Sequence, residues 1–359
     1  MKSTETKSAR NGTKQPLLSL GSTLLNLAVS SKPQGAIPPG TYVFMVGDSA
    51  SGKTFLSLTA FAEALRSKHF KDHRLIYDDV EGGAMMDWEK FFGKSVAAKV
   101  EPPSFIRNTG TVGDVPEHSE TLEDFYYNID DAIQDGRPFI YVLDSMDGLT
   151  TGDDVEKFKE AKDARRKGKD VGGSYGTSKA KTNSVGMRQV IRGLKKTGSI
   201  LIVLCQTREN IGFGSQFNPK TRAGGRALTF YAHSEIWFSL AEQIKKTVKG
   251  KPRQLGVISR IQIKKNRISG KLREVRVPIY WSLGIDDVQS CVDYLIDEGY
   301  WAEKKGSIEA KEFGFKGTMD KLIGKIESEN LEKELKAIVS ECWQEIESAC
   351  EQPRKMRYQ

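Results

Sequence analysis

Eight consecutive residues, Gly47-Asp48-Ser49-Ala50-Ser51-Gly52-Lys53-Thr54, match the pattern G-x-x-x-x-G-K-[ST] in full. The glycines let the backbone curl so that successive N–H groups converge on a phosphate, aided by the N-terminus of the helix that follows. Lys53 can reach the β- and γ-phosphate oxygens of ATP, and the Thr54 hydroxyl suits Mg²⁺. Such a site needs carboxylates as well. Asp144 closes the apolar run Phe139-Ile140-Tyr141-Val142-Leu143 and is expected to hold magnesium through water. Glu81 follows the run Leu75 to Tyr77 and is placed to polarise an attacking water. Asp78 and Asp79 compete with it for that role or cap the turn.

The elements that must carry these residues are readable from periodicity. Residues 33–40 are turn-rich and lead into Thr41 to Val46, a run without polar interruption that predicts a buried strand. Lys53 to Ser67 repeats its apolar residues at helical spacing. Further strands are predicted at Arg74–Tyr77, Phe139–Leu143, Ile200–Cys205, Ala232–Leu240 and Leu255–Lys264. Short apolar strands alternating with helical patterns predict an α/β fold: a phosphate-loop NTPase core with a mostly parallel central sheet flanked by helices. Functional groups should gather at the carboxyl ends of its strands. Residues 1–16 read as a flexible tail and residues 17–280 as the core, with a short helix within Leu17–Val29. Residues 281–350 read as a small carboxyl-terminal α/β domain with helices at Asp286–Glu298 and within 318–350, and residues 351–359 as a basic tail.

Composition narrows the class. With 38% hydrophobic and 28% charged residues the chain is not expected to be disordered as a whole. No run of eighteen apolar residues occurs, and Met1 to Lys14 is polar, so neither a membrane span nor a secretory signal is expected. Four scattered cysteines, with Cys205 in an apolar run, fit a reducing, cytoplasmic compartment. The net charge of +8 is concentrated: Lys157 to Lys181 holds nine Lys or Arg against three acids.

With these residues placed, the chain resembles the bacterial RecA recombinase family along nearly its full length, a phage-encoded member included. Asp78-Asp79-Val80-Glu81 resembles the segment carrying that family's catalytic glutamate, and Asp144-Ser145 with Gly148-Leu149 resembles its Walker B strand end. Gln206 matches the glutamine that senses the γ-phosphate. Phe217-Asn218-Pro219 and Gly224 to Ala232 are similar to the family's second DNA loop and the helix after it. The resemblance implies that Lys265 and Arg267, in Lys264-Lys265-Asn266-Arg267-Ile268, reach a neighbouring subunit's ATP and that Phe230 packs into that subunit. Four features depart from the pattern. The long amino-terminal gripping helix has no counterpart in the residues before Gly47, a lysine expected beside Phe230 is Thr229, the segment from Asp144 to Gly186 is longer, and the chain's end is basic.

Two loops are suited to DNA. The first lies within residues 157–183, where Lys167, Lys169, Lys179 and Lys181 surround a glycine-rich stretch with Tyr175. The second, residues 208–222, offers Arg208, Lys220 and Arg222 to phosphates and Phe213 and Phe217 as wedges or stacking groups. A solvated surface helix is the alternative for Lys157–Lys169. The resemblance implies a DNA-dependent ATPase that binds single-stranded and, as a second partner, duplex DNA, forms a homo-oligomeric filament and exchanges strands. A ring-forming helicase or translocase and a recombination mediator that uses ATP as a switch are the alternatives.

Overall fold

The computed structural model describes residues 15–106, 115–167, 178–209, 220–222, 224–355 and 357. From the amino end the elements are α1 (Thr23–Ser30), β1 (Thr41–Gly47), α2 (Lys53–Arg66), β2 (Arg74–Asp79), α3 (Trp88–Phe92), α4 (Lys94–Lys99), β3 (Val100–Glu101), β4 (Ser104–Ile106), β5 (Val115–Glu117), α5 (Leu122–Gln134), β6 (Phe139–Asp144), α6 (Gly152–Arg166) and α7 (Ser178–Thr197). They continue with β7 (Ile200–Glu209), β8 (Lys220–Arg222), α8 (Arg226–Tyr231), β9 (Ser234–Val248), β10 (Lys251–Asn266), β11 (Glu274–Tyr280), β12 (Gly284–Ile285), α9 (Asp287–Asp297), β13 (Ala302–Lys304), β14 (Ser307–Ala310), β15 (Phe315–Gly317), α10 (Met319–Ser328) and α11 (Glu332–Ala349).

The main sheet runs in the order β12-β11-β10-β9-β1-β7-β6-β2-β3, with β8 attached to β7. From β9 through β1, β7, β6 and β2 to β3 the strands are parallel; β10, β11 and β12 add an antiparallel flank. Uninterrupted apolar strands are what a sheet covered on both faces requires, because alternate side chains enter opposite cores. In β1, Tyr42, Phe44 and Val46 enter the layer formed with α5 and α7, where Phe125, Ile129, Met187 and Val190 lie. Val43 and Met45 enter the other layer, against Leu56, Leu58 and Phe61 of α2. β6 and β7 divide their residues the same way. A mostly parallel sheet sandwiched by helices is therefore the architecture. The second layer continues through α9 and α11, whose Cys291, Leu295, Leu335 and Val339 join Leu24 and Leu25 of α1.

Four boundaries differ from the expectation. Leu18 does not start a helix but bridges Ile37, and α1 begins at Thr23, capped by the Ser22 side chain. β7 runs on past Cys205 to Glu209 because Thr207, Arg208 and Glu209 pair with β8. Strands β9 and β10 extend beyond Leu240 and before Leu255 into one long hairpin, held there by mutual pairing without a second layer. The start of the first expected DNA loop, for which a solvated surface helix was the alternative, is helical: α6 begins at Gly152 with a Thr151 cap, runs to Arg166 and buries none of its residues. Among the described residues no helix is long and apolar enough to cross a membrane.

Candidate functional site

Gly47 ends β1 opposite Phe238 of β9, and a Cβ there would stand 2.4 Å from the Phe238 carbonyl oxygen. A side chain would force the two strands apart, so glycine is required for the close approach. The loop then turns into α2 at Gly52, whose φ of +91 is left-handed. Lys53, the first residue of α2, folds back: its Nζ donates to the carbonyl oxygens of Gly47 at 2.8 Å and Asp48 at 2.7 Å. It is 8% exposed, and this burial lowers the ammonium's pKa, opposed by the fields of Asp144 and Asp48.

Asp144 lies at the carboxyl end of β6, which is separated from β1 by β7. Its Oδ2 accepts from Thr54 Oγ1 at 2.7 Å and from the Tyr77 hydroxyl at 3.1 Å. Burial pushes this carboxyl above the usual carboxylate range, and the two hydrogen bonds pull it back.

The three acids after Tyr77 separate cleanly. Asp78 is fully buried and accepts from the Ser119 amide and hydroxyl and from the Tyr141 hydroxyl, so it ties β2 to β6 and to the start of α5. Asp79 accepts from the Gly83 amide at 3.1 Å and caps the turn. Glu81 is exposed and faces the site: it accepts from Ser145 Oγ and, at 3.1 and 3.3 Å, from Gln206 Nε2.

Gln206 is the first of three successive residues tied to the phosphate side. Its amide donates to Asp147 Oδ2 at 2.5 Å, and Arg208 Nη2 lies 3.5 Å from Asp147 Oδ1. Between them, Thr207 Oγ1 donates to Asp48 Oδ1 within the phosphate loop. Asp147 and the Asp48–Thr207 bond were not anticipated. The acid in Asp144-Ser145-Met146-Asp147 was visible, but its partners lie about 60 residues further along the chain.

The family model for the RecA N-terminal domain matches residues 140–286. Protein RecA of Cytophaga hutchinsonii is 27% identical over 307 residues, 84% of this chain and 73% of that protein. Protein RecA of Streptococcus agalactiae is 28% identical, covering 82% of this chain and 70% of its own length; that of Tropheryma whipplei is 25% identical, covering 76% and 54%. Over most of its length this chain is similar to RecA proteins.

The RecA-like core also carries a cleft that sequence reading missed. A cleft of ≈ 370 Å³ adjoins Lys53 and Thr54 and is lined by Phe55, Met86, Phe91, Ile279, Tyr280 and Trp281. Its aromatic and apolar wall, next to the phosphate loop, suits the flat face of a nucleotide base. The signal was hidden because the lining comes from α2, from the region of α3, and from the end of β11. Trp281 is 58% exposed and is the free face of this wall. Replacing Trp281 by alanine is expected to raise the KM for ATP about 5-fold or more, the worth of one stacked base, with turnover at saturation little changed. Steady-state kinetics over a nucleotide titration checks the split.

Other expected residues are dispersed. Lys265 Nζ donates to the Thr229 carbonyl at 2.5 Å and the Phe230 carbonyl at 2.9 Å, and Arg267 Nη2 donates to the latter at 3.0 Å. Both cations thus sit on the carboxyl end of α8, where carbonyl groups point outward. Desolvation and then Arg267 lower the Lys265 pKa. Lys265 pairs with Glu235, which pairs with Phe44, three residues before Gly47 and two strands away. Neither cation faces the phosphate loop of its own chain. Phe230, 63% exposed, has the Arg267 guanidinium 6.0 Å from its ring.

Among the DNA candidates, Lys169, Tyr175, Phe213 and Phe217 lie outside the described residues, and Lys220 is placed only as backbone in β8. Lys167, Lys181 and Arg208 are exposed. Lys179 Nζ donates to the Leu149 carbonyl. Arg222 is turned inward, contrary to its expected outward role. It lies 3.5 Å from Glu235 and 5.7 Å from the Phe44 ring and donates to Thr229, because β8 pairing directs its side chain over the sheet. As folded here it is not offered to a phosphate.

Proposed function

We propose that this chain is an ATP-gated DNA recombinase that binds single-stranded DNA next to its nucleotide site and promotes homologous pairing and strand exchange. The observation that carries the reading is the Glu81–Gln206 hydrogen bond, made on a strand that leads straight into residues 210–219. A group that answers to the γ-phosphate and the segment proposed to hold DNA are thereby adjacent in the chain.

ATP enters with its base against Trp281 and its phosphates over the loop. Lys53 exchanges the Gly47 and Asp48 carbonyls for phosphate oxygens. The Thr54 hydroxyl and the Asp144 carboxylate, hard oxygen donors 2.7 Å apart, would hold a Mg²⁺, the carboxylate through water, and the ion would supply positive charge against the phosphates. Glu81 accepts a proton from the water as the water oxygen bonds to the γ-phosphorus and the bond to the β-phosphate oxygen breaks, releasing ADP and phosphate. Gln206 exchanges Glu81 for a γ-phosphate oxygen, and the shift passes along β7 to the DNA segment. Asp48 holds Thr207, and Asp147 holds Gln206 and Arg208 on the same strand, so movement of the phosphate loop has a second route to that segment. Lys265 and Arg267, turned from their own nucleotide, serve the site of the next protomer.

The test is electron microscopy and a strand-exchange assay with single-stranded DNA and a non-hydrolysable ATP analogue. A helical filament with analogue-dependent DNA binding, and exchange that needs ATP, are expected. A closed ring would replace the reading with a motor, and absence of any ordered assembly would replace it with a mediator.

A further inference from the structure

The hairpin of β9 and β10 is far longer than the sheet requires. β9 passes Gly47 at Phe238 and continues to Val248, and β10 pairs with β11 only from Gly256 to Gln262. Residues 245–254 therefore pair with nothing but each other. Because β9 is parallel to β1, the ribbon leaves from the carboxyl edge of the sheet, the same edge as the phosphate loop, Asp144 and Gln206. At about 3.3 Å per residue its tip stands roughly 33 Å beyond Phe238.

The tip has one sign of charge. Between residues 243 and 253 the charged residues are Lys245, Lys246, Lys249, Lys251 and Arg253, with no acid among them. All five are exposed, and none has an ion-pair partner among the described residues. Glu242, the last acid before the tip, is already paired with Arg276 of β11 at 3.0 Å. Holding five like charges on one narrow ribbon costs self-repulsion that no ion pair among the described residues offsets, and a polyanion relieves it.

We propose that this ribbon is a docking arm for duplex DNA, contacting the phosphate backbone through these five cations. A two-stranded ribbon has the width to enter a major groove of about 12 Å, and phosphate contacts of this kind release counterions. The assignment does not rest on the nucleotide-gated site, since the arm is formed without nucleotide.

The full chain and the variant Lys245→Gln/Lys246→Gln/Lys249→Gln are to be titrated against a fluorescent duplex without nucleotide, over 50–200 mM salt, and against single-stranded DNA with the ATP analogue. Loss of three phosphate contacts makes the duplex salt slope shallower by about 2–3 and weakens duplex affinity about tenfold or more, with single-strand binding little changed. ATP turnover without DNA and thermal stability stay at wild-type values, and the triple arginine variant retains duplex binding. An unchanged duplex slope overturns the arm, leaving an acidic protein surface as its counterpart, and an equal loss on single-stranded DNA overturns the duplex assignment. A wild-type chain that binds single strands with the analogue but no duplex sinks this inference alone. One that binds neither sinks the recombinase reading too.

Discussion

ATP turnover is expected to fall about 10²–10⁴-fold when Glu81 is replaced by glutamine, the usual worth of a positioned general base, while nucleotide affinity changes little. The substitution is nearly isosteric. Ser145 Oγ can still donate to the side-chain oxygen, and after an amide rotation the new NH₂ can donate to Gln206. The link between nucleotide site and DNA segment is therefore retained, and only the proton acceptor is lost. DNA binding driven by ATP itself should become as persistent as with a non-hydrolysable analogue, because the step that releases it no longer occurs. Single-turnover hydrolysis and DNA dissociation rates measure the two effects separately. Turnover within tenfold of wild type would remove Glu81 from the chemistry. Loss of nucleotide affinity in parallel with turnover would make it a structural residue.

The parallel core was legible because its strands are short, apolar and punctuated. A residue such as Val43 or Phe44 has no solvent-facing alternative when both neighbours along the strand are apolar too. The phosphate loop was legible for a different reason, since its chemistry is local to eight residues. What escaped was set by tertiary pairing. Nothing in Lys245 to Arg253 alternates in the manner of a half-buried strand, so the hairpin tip is a strand only because each arm supplies the other's hydrogen bonds. Arg222 looked like a loop cation until β8 turned it toward Glu235. Asp78 and Asp79 competed with Glu81 for one role in the sequence, and their partners separate the three: Ser119 and Tyr141 for the first, the local turn at Gly83 for the second, Gln206 for the third. The base cleft needed three separated segments to meet before its aromatic wall existed.

Lys53→Ala separates binding from chemistry on the opposite side. The ammonium is desolvated, which disfavours its charge, and it also satisfies the Gly47 and Asp48 carbonyls. Removing it leaves two acceptors without that donor, at a cost on the order of 1–3 kcal/mol, and at the same time removes a buried charge, so the two effects oppose each other in the free protein. The melting temperature without nucleotide should therefore move little. With nucleotide the outcome is one-sided, because among the described residues no other cation is bonded to the loop: Lys265 and Arg267 lie against Phe230. Wild type at a hundredfold excess over Kd gains about 2.7 kcal/mol from ligand, and the alanine variant should lose nearly all of that stabilisation. kcat/KM should fall about 10²–10³-fold or more, as for loss of a preorganised charge-stabilising donor. Glu81→Gln keeps the thermal shift and loses turnover; Lys53→Ala loses both, and with them the analogue-dependent binding of single-stranded DNA. Thermal-shift titrations of the two variants side by side make the comparison. A Lys53→Ala chain that still melts higher with nucleotide, or still exchanges strands, would mean that the loop at residues 47–54 does not govern the DNA segment.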